Sequence, residues 1–414
     1  MSVKRRIASN LKSIAFACLT LLSIQFAQAL EFNPPPLKPM SADLVKKTVA
    51  MVNDPKTWER IPSSTTICMY VPGGARGDLF KLSKAYLDQI PTLTQGLKKH
   101  GVHLDITSSS PTEYQFKLRS DKLNREKVTQ VKLRLYTSEA VVANDFRSKR
   151  CDGAMMSNMR ARVFNPFVGS LDAIGALPNN KSMDMAIQLL AKPQLKSMMK
   201  NLGTEVVGIV PLGAAYIFVN DRKINSVDKA AGKKVAVLSF DPSQQKMVST
   251  LGAQPVAAEV TSFGPMFTSG SVDIIAAPAL LFEPFELYKG MTKGDKVTGG
   301  IARFAIMQLS AVSLIRENRY PEGLGQLMRE IGAQNASIAS SFSLASEKAI
   351  PDKYWFDVSP SDKASYQKLM REIRISMTKE GFYDPKMMRL LKKIRCELNP
   401  VSYTHLTLPT ILRV

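Results

Sequence analysis

Two stretches of the sequence, FRSKRCDGAMM (residues 146–156) and FTSGSVDIIAA (residues 267–277), share the order F-x-S-x-x-x-D followed by four small or apolar residues. In each stretch, helical spacing precedes the phenylalanine and a short apolar run follows the aspartate, so each predicts a helix-to-strand junction. We expect Asp152 and Asp273 to hold backbone N–H groups at these junctions, a structural role that we favour over catalysis.

Other short strand-like runs surround the two junctions. TTICMYV (residues 65–71) and VKLRLYTS (residues 131–138) lie on one side, and KKVAVLS (residues 233–239) and PVAAEV (residues 255–260) accompany the second junction. Helical spacing separates them, and alternating strands and helices are typical of parallel strands covered on both faces. The repeated junction therefore predicts two similar α/β lobes that face one another.

Both ends of the sequence are expected to lie outside the working fold. Residues 1–29 have a basic start, an apolar run and small residues at a cleavage site, which indicates a secretory signal. The apolar run is too short to span a bilayer, and an uncleaved anchor is the alternative. VSYTHLTLPT (residues 401–410) resembles one reading frame of an adapter used in sequencing libraries. Residues 401–414 are therefore interpreted as an artefactual tail rather than a natural polar one.

The composition is basic, with 56 Lys and Arg against 35 Asp and Glu among 414 residues, a formal net charge of +21. Such a surplus suits an anionic solute, an anionic membrane face or nucleic acid. An exported protein rarely meets nucleic acid, so no nucleic-acid partner is expected, and no stable membrane insertion is expected after signal cleavage. The positive charges are scattered through helices, which favours a solvated basic surface.

Three cysteines remain once the leader is removed, an odd number for a protein expected in an oxidising compartment. Cys68 and Cys151 each lie on or beside a predicted strand of the first lobe, and we expect them to form a disulfide. Cys396 lies close to the predicted tail, so a partner for it would be missing from this sequence. The alternative is three buried thiols.

The sequence resembles a known family at GKKVAVLS (residues 232–239) and FTSGSVDIIAAP (residues 267–278). These stretches are similar to GxKIRVP and LQxGxVDG in the DctP-like solute-binding proteins of TRAP transporters, and closer still to the AdeT-type solute-binding proteins. The resemblance covers most of residues 60–395. It implies a periplasmic receptor that closes on a small solute and delivers it to inner-membrane transporter subunits.

The fold class implied is a two-lobed α/β fold of the periplasmic binding protein type II-like class, with mostly parallel sheets flanked by helices and a hinge between the lobes. The expected organisation is a lead-in and helix (residues 30–60), lobe I (residues 61–165 and 297–345), lobe II (residues 166–296) and C-terminal helices (residues 346–400). In the last region Tyr366, Met370, Ile373 and Met377 fall at helical spacing and predict a core stripe rather than a metal site.

The family pattern has an arginine that clamps a solute carboxylate, and the matching position in this sequence is Ala236. Alanine offers no planar fork for a carboxylate, so an anionic solute would need another cation. The ligand is expected beyond the carboxyl ends of the strands. The candidate ligand-binding residues there are Gly73, Gly74, Arg76, Asn158, Arg160, Arg162, Tyr216, Ser239, Phe240, Gln244, Phe263 and Pro278.

Enzyme chemistry finds little support in the residues. His100 and His103 are the histidines left after trimming, and two of them without further ligands are a poor basis for a zinc site. No nucleophile elbow or zincin motif occurs, so neither catalysis, a metal nor a cofactor is expected. A second hypothesis is a periplasmic accessory component of a multidrug efflux system with a divergent or vestigial ligand cleft.

Overall fold

The computed structural model describes residues 35–398, apart from the side chains of Asp78 and Leu79. The predictions for residues 1–29 and 401–414 lie outside the described residues. Over the described part of the chain, no helix has the length and apolar character needed to cross a membrane.

The helices are as follows: α1 Ala42–Val52, α2 Pro55–Glu59, α3 Asp78–Leu87, α4 Ile90–Thr94, α5 Glu139–Arg147, α6 Asn158–Ala161, α7 Pro166–Gly169, α8 Asn180–Leu190, α9 Pro242–Thr250, α10 Val260–Thr268, α11 Leu287–Gly290, α12 Leu324–Ala349, α13 Pro360–Lys379 and α14 Pro385–Leu398. The strands are β1 Ser64–Tyr70, β2 Val102–Ser110, β3 Glu113–Ser120, β4 Arg125–Tyr136, β5 Gly153–Ser157, β6 Lys200–Asn201, β7 Thr204–Val219, β8 Lys234–Leu238, β9 Gln254–Ala258, β10 Ile274–Pro278, β11 Thr292–Lys293, β12 Lys296–Val297, β13 Gly300–Arg316 and β14 Trp355–Phe356.

Most of the strands form one mixed sheet in the order β2-β3-β4-β1-β5-β13-β7-β10-β8-β9. Parallel pairs occur in β4-β1-β5 and in β10-β8-β9, where helices make the crossovers. The pairs β2-β3, β3-β4, β5-β13, β13-β7 and β7-β10 are antiparallel. We call strands β1 to β5 with their helices the β1 half, and β8 to β10 with theirs the β8 half.

The repeated sequence stretches occupy equivalent places in the two halves. FRSKRCDGAMM leads from α5 into β5, and β5 lies parallel to β1. FTSGSVDIIAA leads from α10 into β10, and β10 lies parallel to β8. The orders β4-β1-β5-β13 and β9-β8-β10-β7 therefore repeat one arrangement, which the sequence predicted from the shared junction.

The junction aspartates make the same contacts in each half. The backbone N–H of Asp152 donates to the carbonyl of Thr66, and its carboxylate accepts from the Thr66 N–H at 2.9 Å. Asp273 forms the corresponding pair of bonds with Lys234, where its carboxylate also accepts at 2.9 Å. The predicted structural role of both aspartates is confirmed.

Two long antiparallel strands join the halves. β13 pairs with β7 from Gly300 to Arg316, while it pairs with β5 near one end and β7 pairs with β10 near the other. The register between β13 and β7 shifts at several points along their length. The long helix α12 packs along β7.

The cysteine prediction is confirmed, because Cys68 on β1 and Cys151 before β5 form a disulfide with Cα atoms 5.8 Å apart. Cys396 is a free thiol. The C-terminal stripe is also confirmed as core, because Tyr366, Met370, Ile373 and Met377 are all buried on α13.

Candidate functional site

The carboxyl ends of strands from the two halves meet near the middle of β13. β5 ends at Ser157, which pairs with Ala311 of β13. β10 ends at Pro278, and its partner on β7, Ala215, pairs with Met307 of β13. The two strand ends therefore approach one level of the sheet from opposite directions. Ligands of open α/β sheets bind beyond such ends, so this level is the candidate site.

Arg160 links the two halves at this level. It lies in α6, directly after β5, and its side chain is 13% exposed. Its Nη2 donates to Oε2 of Glu259, which follows β9, at 2.8 Å, and its Nε lies 3.9 Å from Oε2 of Glu139 on α5. Its guanidinium carbon lies 3.4 Å from the ring centroid of Phe240, after β8. An ion pair and a cation–π contact thus hold this arginine.

Glu139 supplies a buried carboxylate beside Arg160. It accepts hydrogen bonds from the backbone N–H of Ser157 at 2.8 Å and from the Ser157 hydroxyl at 3.0 Å. Burial raises the pKa of Glu139, although the bonds from Ser157 and the nearby Arg160 act in the opposite direction. Burial also raises the pKa of Tyr70, at the end of β1, and the charges of Glu139 and Glu259 add to that rise.

The β8 half contributes Ser239 and Glu259 to the same cluster. Ser239 follows β8, and its hydroxyl donates to Oε1 of Glu259 at 2.7 Å. Gln244 on α9 accepts from the backbone N–H of Leu238 at 3.0 Å, which fixes the start of this loop. Three of the sequence-predicted residues are therefore brought together, because Arg160 and Ser239 both donate to Glu259 and Arg160 also contacts Phe240.

Asn158 and Arg162 are close to Arg160 in the chain, but their side chains form hydrogen bonds with residues 168–172. The amide of Asn158 donates to the Val168 carbonyl at 2.9 Å and to Asp172 at 3.1 Å, while its Oδ1 has no hydrogen-bond partner among the described residues. Arg162 donates to the Gly169 carbonyl at 2.8 Å and 3.1 Å. Its guanidinium is thus occupied inside the protein.

Phe263 and Pro278 are buried in the β8 half, and Tyr216 is buried on the joining strand β7. Tyr216 lies on β7 and contacts Trp355 edge to face, with ring centroids 5.1 Å apart. Phe263 lies on α10 and belongs to the main hydrophobic core. Pro278 ends β10 and begins a short 3₁₀ turn. None of the contacts described for Arg160 involves these three residues.

Gly73, Gly74 and Arg76 form a tight turn after β1. A Cβ on Gly73 would lie 2.7 Å from the Cα of Gly77, and Gly74 has a φ of +62°, so the turn depends on glycine. The Arg76 side chain is exposed. The structure thus places the turn three residues beyond Tyr70 and outside the contacts described for Arg160.

Residues 23–407 match the family model described as Solute-binding protein AdeT 1/2. The match covers most of the chain. The chain belongs to this family. The sequence resemblance to AdeT-type proteins is thereby confirmed.

Two AdeT relatives from Acinetobacter baumannii are similar in sequence. The probable solute-binding protein AdeT1 is 44% identical over 271 residues, which cover 66% of this chain and 88% of the relative. The probable solute-binding protein AdeT2 is 30% identical over 233 residues, covering 56% of this chain and 96% of the relative.

Solved TRAP periplasmic solute-binding proteins share the fold of this AdeT-family chain. The protein from Desulfovibrio salexigens with bound orotic acid has a TM-score of 0.57 at 12% identity, covering 81% of this chain and 100% of the other. The ectoine-binding protein of Halomonas elongata has a TM-score of 0.55 at 12% identity, covering 82% and 100%. The expected α/β two-lobe fold is confirmed, but the expectation of mostly parallel sheets is wrong, because the halves share one mixed sheet in which long antiparallel strands join them.

This AdeT-family chain lacks an arginine at the position suggested by the TRAP motif. Ala236 lies in the middle of β8, where it is buried and pairs with Val256 of β9. It offers no side-chain hydrogen bond to a solute. Arg160, from the other half, is the cation that the structure places against the end of β8.

Sequence reasoning missed Glu139, Glu259 and Tyr70. All three lie next to the end of a strand, where a binding residue can be sought in the sequence. Glu139 begins the helix after β4, Tyr70 is the last residue of β1, and Glu259 directly follows β9. The missing signal was their proximity, because they are far apart in the chain and meet only when both halves are assembled. A search for charged residues at every strand end would have found Glu259.

A surface pocket of about 340 Å³ lies away from the Arg160 cluster. It is lined by residues near the start of β7 and the end of β13, including Glu205, Ile315 and Glu317. Gly153, the first residue of β5, pairs with Ile315, so the pocket lies at the amino end of that strand. Ligands of open α/β sheets bind beyond the carboxyl ends of the strands, so the Arg160 cluster and not this pocket is the candidate site.

One group of three potential metal ligands lies together among the described residues, namely Cys68, Asp145 and Cys151. Its two sulfur atoms form the disulfide and are therefore not thiolate ligands. Of the two histidines considered from the sequence, His103 contacts Asp121 through Nε2 at 2.9 Å.

Proposed function

We propose that this protein is an extracytoplasmic receptor that traps a small solute between its two halves and delivers it to a membrane transporter of the TRAP type. Membership of a solute-binding family supports the binding role. The observation that carries the location of the site is the contact of Arg160 with Glu259, which joins loops from both halves beyond their strand ends.

The binding movement would be a closure of the halves about the long strands. β7 and β13 cross from one half to the other, and their register shifts near Leu309 of β13. Gly213 of β7 has a φ of +92°, which interrupts the regular strand conformation at a similar level. A closure about this region would carry the loops of Arg160 and Glu259 relative to one another.

Small molecules are the class of ligand that the comparisons support. One protein of the same fold has orotic acid bound, another has L-gulonate bound, and a third is an ectoine-binding protein. We extend this class to the present chain and place the solute against Arg160, Ser239 and Phe240. The other candidates proposed from the sequence stay predictions.

A thermal-shift screen of the protein against acids, amines and drugs tests this function. A receptor gains stability from a solute that binds only the folded state, so the true solute should raise Tm by several degrees. An isothermal titration with the same solute should give one site per chain. Substitution Phe240→Ala should weaken that binding, because it removes the ring beside the Arg160 guanidinium.

The receptor function is contradicted if no solute raises Tm while a membrane protein co-purifies with the chain. That result would favour the efflux accessory role that we considered from the sequence. The comparisons give this alternative no support, since the relatives are described as solute-binding proteins. Neither the family nor the fold points to an enzyme.

A further inference from the structure

The candidate site already contains a bound cation, the guanidinium of Arg160. It lies between the carboxylate of Glu259, at 2.8 Å, and the ring of Phe240, at 3.4 Å from the centroid. Carboxylates and aromatic faces are among the groups by which proteins bind organic cations. The position of the Arg160 guanidinium thus shows that Glu259 and Phe240 together accommodate a positive charge.

An anionic solute would meet an unfavourable set of charges here. The cluster contains two carboxylates, Glu139 and Glu259, and the one guanidinium of Arg160. Glu259 accepts from Nη2 of that guanidinium, and although Nε has no hydrogen-bond partner among the described residues, a solute carboxylate placed at Nε would lie close to the carboxylate of Glu139 and beside Glu259. Ala236 adds no compensating cation on β8.

A cationic solute would meet groups that suit it. The side chain of Glu259 is 43% exposed, and a carboxylate can accept more hydrogen bonds than the two that Arg160 and Ser239 supply. The Phe240 ring, which contacts the Arg160 guanidinium, lies at the same place. Ring faces attract positively charged nitrogen groups.

Two buried oxygen acceptors at the same level of the sheet have no hydrogen-bond donor among the described residues. Asn158 is 1% exposed and follows Ser157, the last residue of β5, and its Oδ1 has no hydrogen-bond partner among the described residues. Gln308 of β13 is 2% exposed and lies between the positions that pair with the two strand ends, and its Oε1 is likewise without a partner. A solute group placed against either oxygen would have to donate a hydrogen bond, which an ammonium or guanidinium group can do, as can a neutral hydroxyl or amide, and which a carboxylate cannot.

We propose that Glu259 sets the charge preference of the site, so that this protein binds solutes with a positively charged nitrogen and rejects simple carboxylates. The inference rests on the proposed receptor function and adds the chemical class of the solute. In this arrangement the solute nitrogen binds the Glu259 carboxylate, either beside the Arg160 guanidinium or in its place. Most of the selectivity then comes from one carboxylate after β9.

Binding of two sets of probes to the full chain tests the inference. The cationic probes are choline, agmatine and arginine amide, and the anionic probes are succinate and gluconate. We expect at least one cationic probe to raise Tm and to titrate calorimetrically, while the anions leave Tm unchanged. Glu259→Gln should weaken cation binding at least tenfold and should allow the anions to bind, because it leaves the Arg160 guanidinium with Glu139 alone as a carboxylate partner.

Glu286→Gln is the matched control. Glu286 forms a surface ion pair with Lys289 at 2.6 Å, so the substitution changes the net charge equally but away from the site. It should leave cation binding unchanged, and an unaltered circular dichroism spectrum should show that both variants fold.

Anion binding by the unaltered protein, or cation binding that survives Glu259→Gln, would overturn the inference and leave the receptor function standing. If neither probes nor the wider solute screen shift Tm, the receptor function fails and the inference fails with it.

Discussion

A single carboxylate, Asp172, lies completely buried among groups that donate to it. Ser310 of β13 donates its backbone N–H at 2.8 Å and its hydroxyl at 2.6 Å, and Asn158 donates at 3.1 Å. Burial nevertheless raises the pKa of Asp172 from 3.8 to about 6, because these bonds and the nearby Arg162 only partly offset the loss of water.

The raised pKa of Asp172 predicts a pH dependence of the free energy of unfolding. Between about pH 4 and pH 6 the folded state keeps a proton that the unfolded state releases, so stability falls as pH rises through this window. The full effect is about 3 kcal/mol, since one unit of pKa corresponds to about 1.4 kcal/mol. Urea unfolding of the protein and of Asp172→Asn, at several pH values, measures it.

The stability of the unaltered protein relative to Asp172→Asn should decline from pH 4 to pH 6 and then level off. A difference that stays constant over this window would contradict the assignment. The comparison removes the contributions of other titrating groups, which the two proteins share.

At the residue scale, local sequence was enough to predict roles that depend on near neighbours. Asp152 and Asp273 were assigned correctly because a carboxylate after a helix and before a strand meets backbone N–H groups of the adjacent strand. Glu139 and Asp172 were not identified, because their partners lie on other elements and no spacing in the chain records those contacts. The two carboxylates beside Arg160 could not be predicted from the sequence for the same reason.

At the scale of elements, β7 depends on one glycine near its middle. Gly213 has a φ of +92°, and a Cβ there would lie 2.8 Å from the Cβ of Ser343 on α12. Gly213→Ala should therefore destabilise the protein by about 1–3 kcal/mol, because the backbone is strained and α12 must shift. Thermal and urea unfolding measure the change.

Gly208→Ala is the matched control on the same strand. A Cβ on Gly208 would lie 3.5 Å from Ser313, an ordinary contact, and its φ is not positive. The change there should stay within about 1 kcal/mol. Equal losses from the two substitutions would show that φ and the contact with α12 are not what makes Gly213 necessary.

The elements were predicted well where periodicity was strong and poorly where a strand was irregular. The apolar stripe of α13 gave its buried face correctly. The alternation in GAAYIFVND (residues 213–221) is typical of a strand, but β7 begins earlier, at Thr204. Its first part contains Gly208 and Pro211 and lacks alternation, and pairing with β13 holds it extended.

At the scale of the whole molecule, the two halves share one sheet. β5 pairs with β13, β13 with β7, and β7 with β10, so hydrogen bonds continue from one half to the other. We expect calorimetry to show a single unfolding transition, because melting of either half removes a neighbour from a long strand of the other. Two separate heat-absorption peaks would contradict this expectation.

The overall architecture could be anticipated because the repeated junction implied repeated units. The antiparallel strands that join the units could not be derived in the same way, because sequence patterns show that a strand exists but seldom show its partner. The place where the halves meet, and therefore the contact between Arg160 and Glu259, followed only from the sheet order and register.

The late position of β13 in the chain constrains how this protein can be made. β5 and β7 emerge from the ribosome well before the strand that lies between them, and until then each has an edge open to wrong partners. A chain interrupted before residue 300 could not complete the central sheet. Biosynthesis must therefore keep these edges apart from other chains until the last third of the polypeptide has arrived.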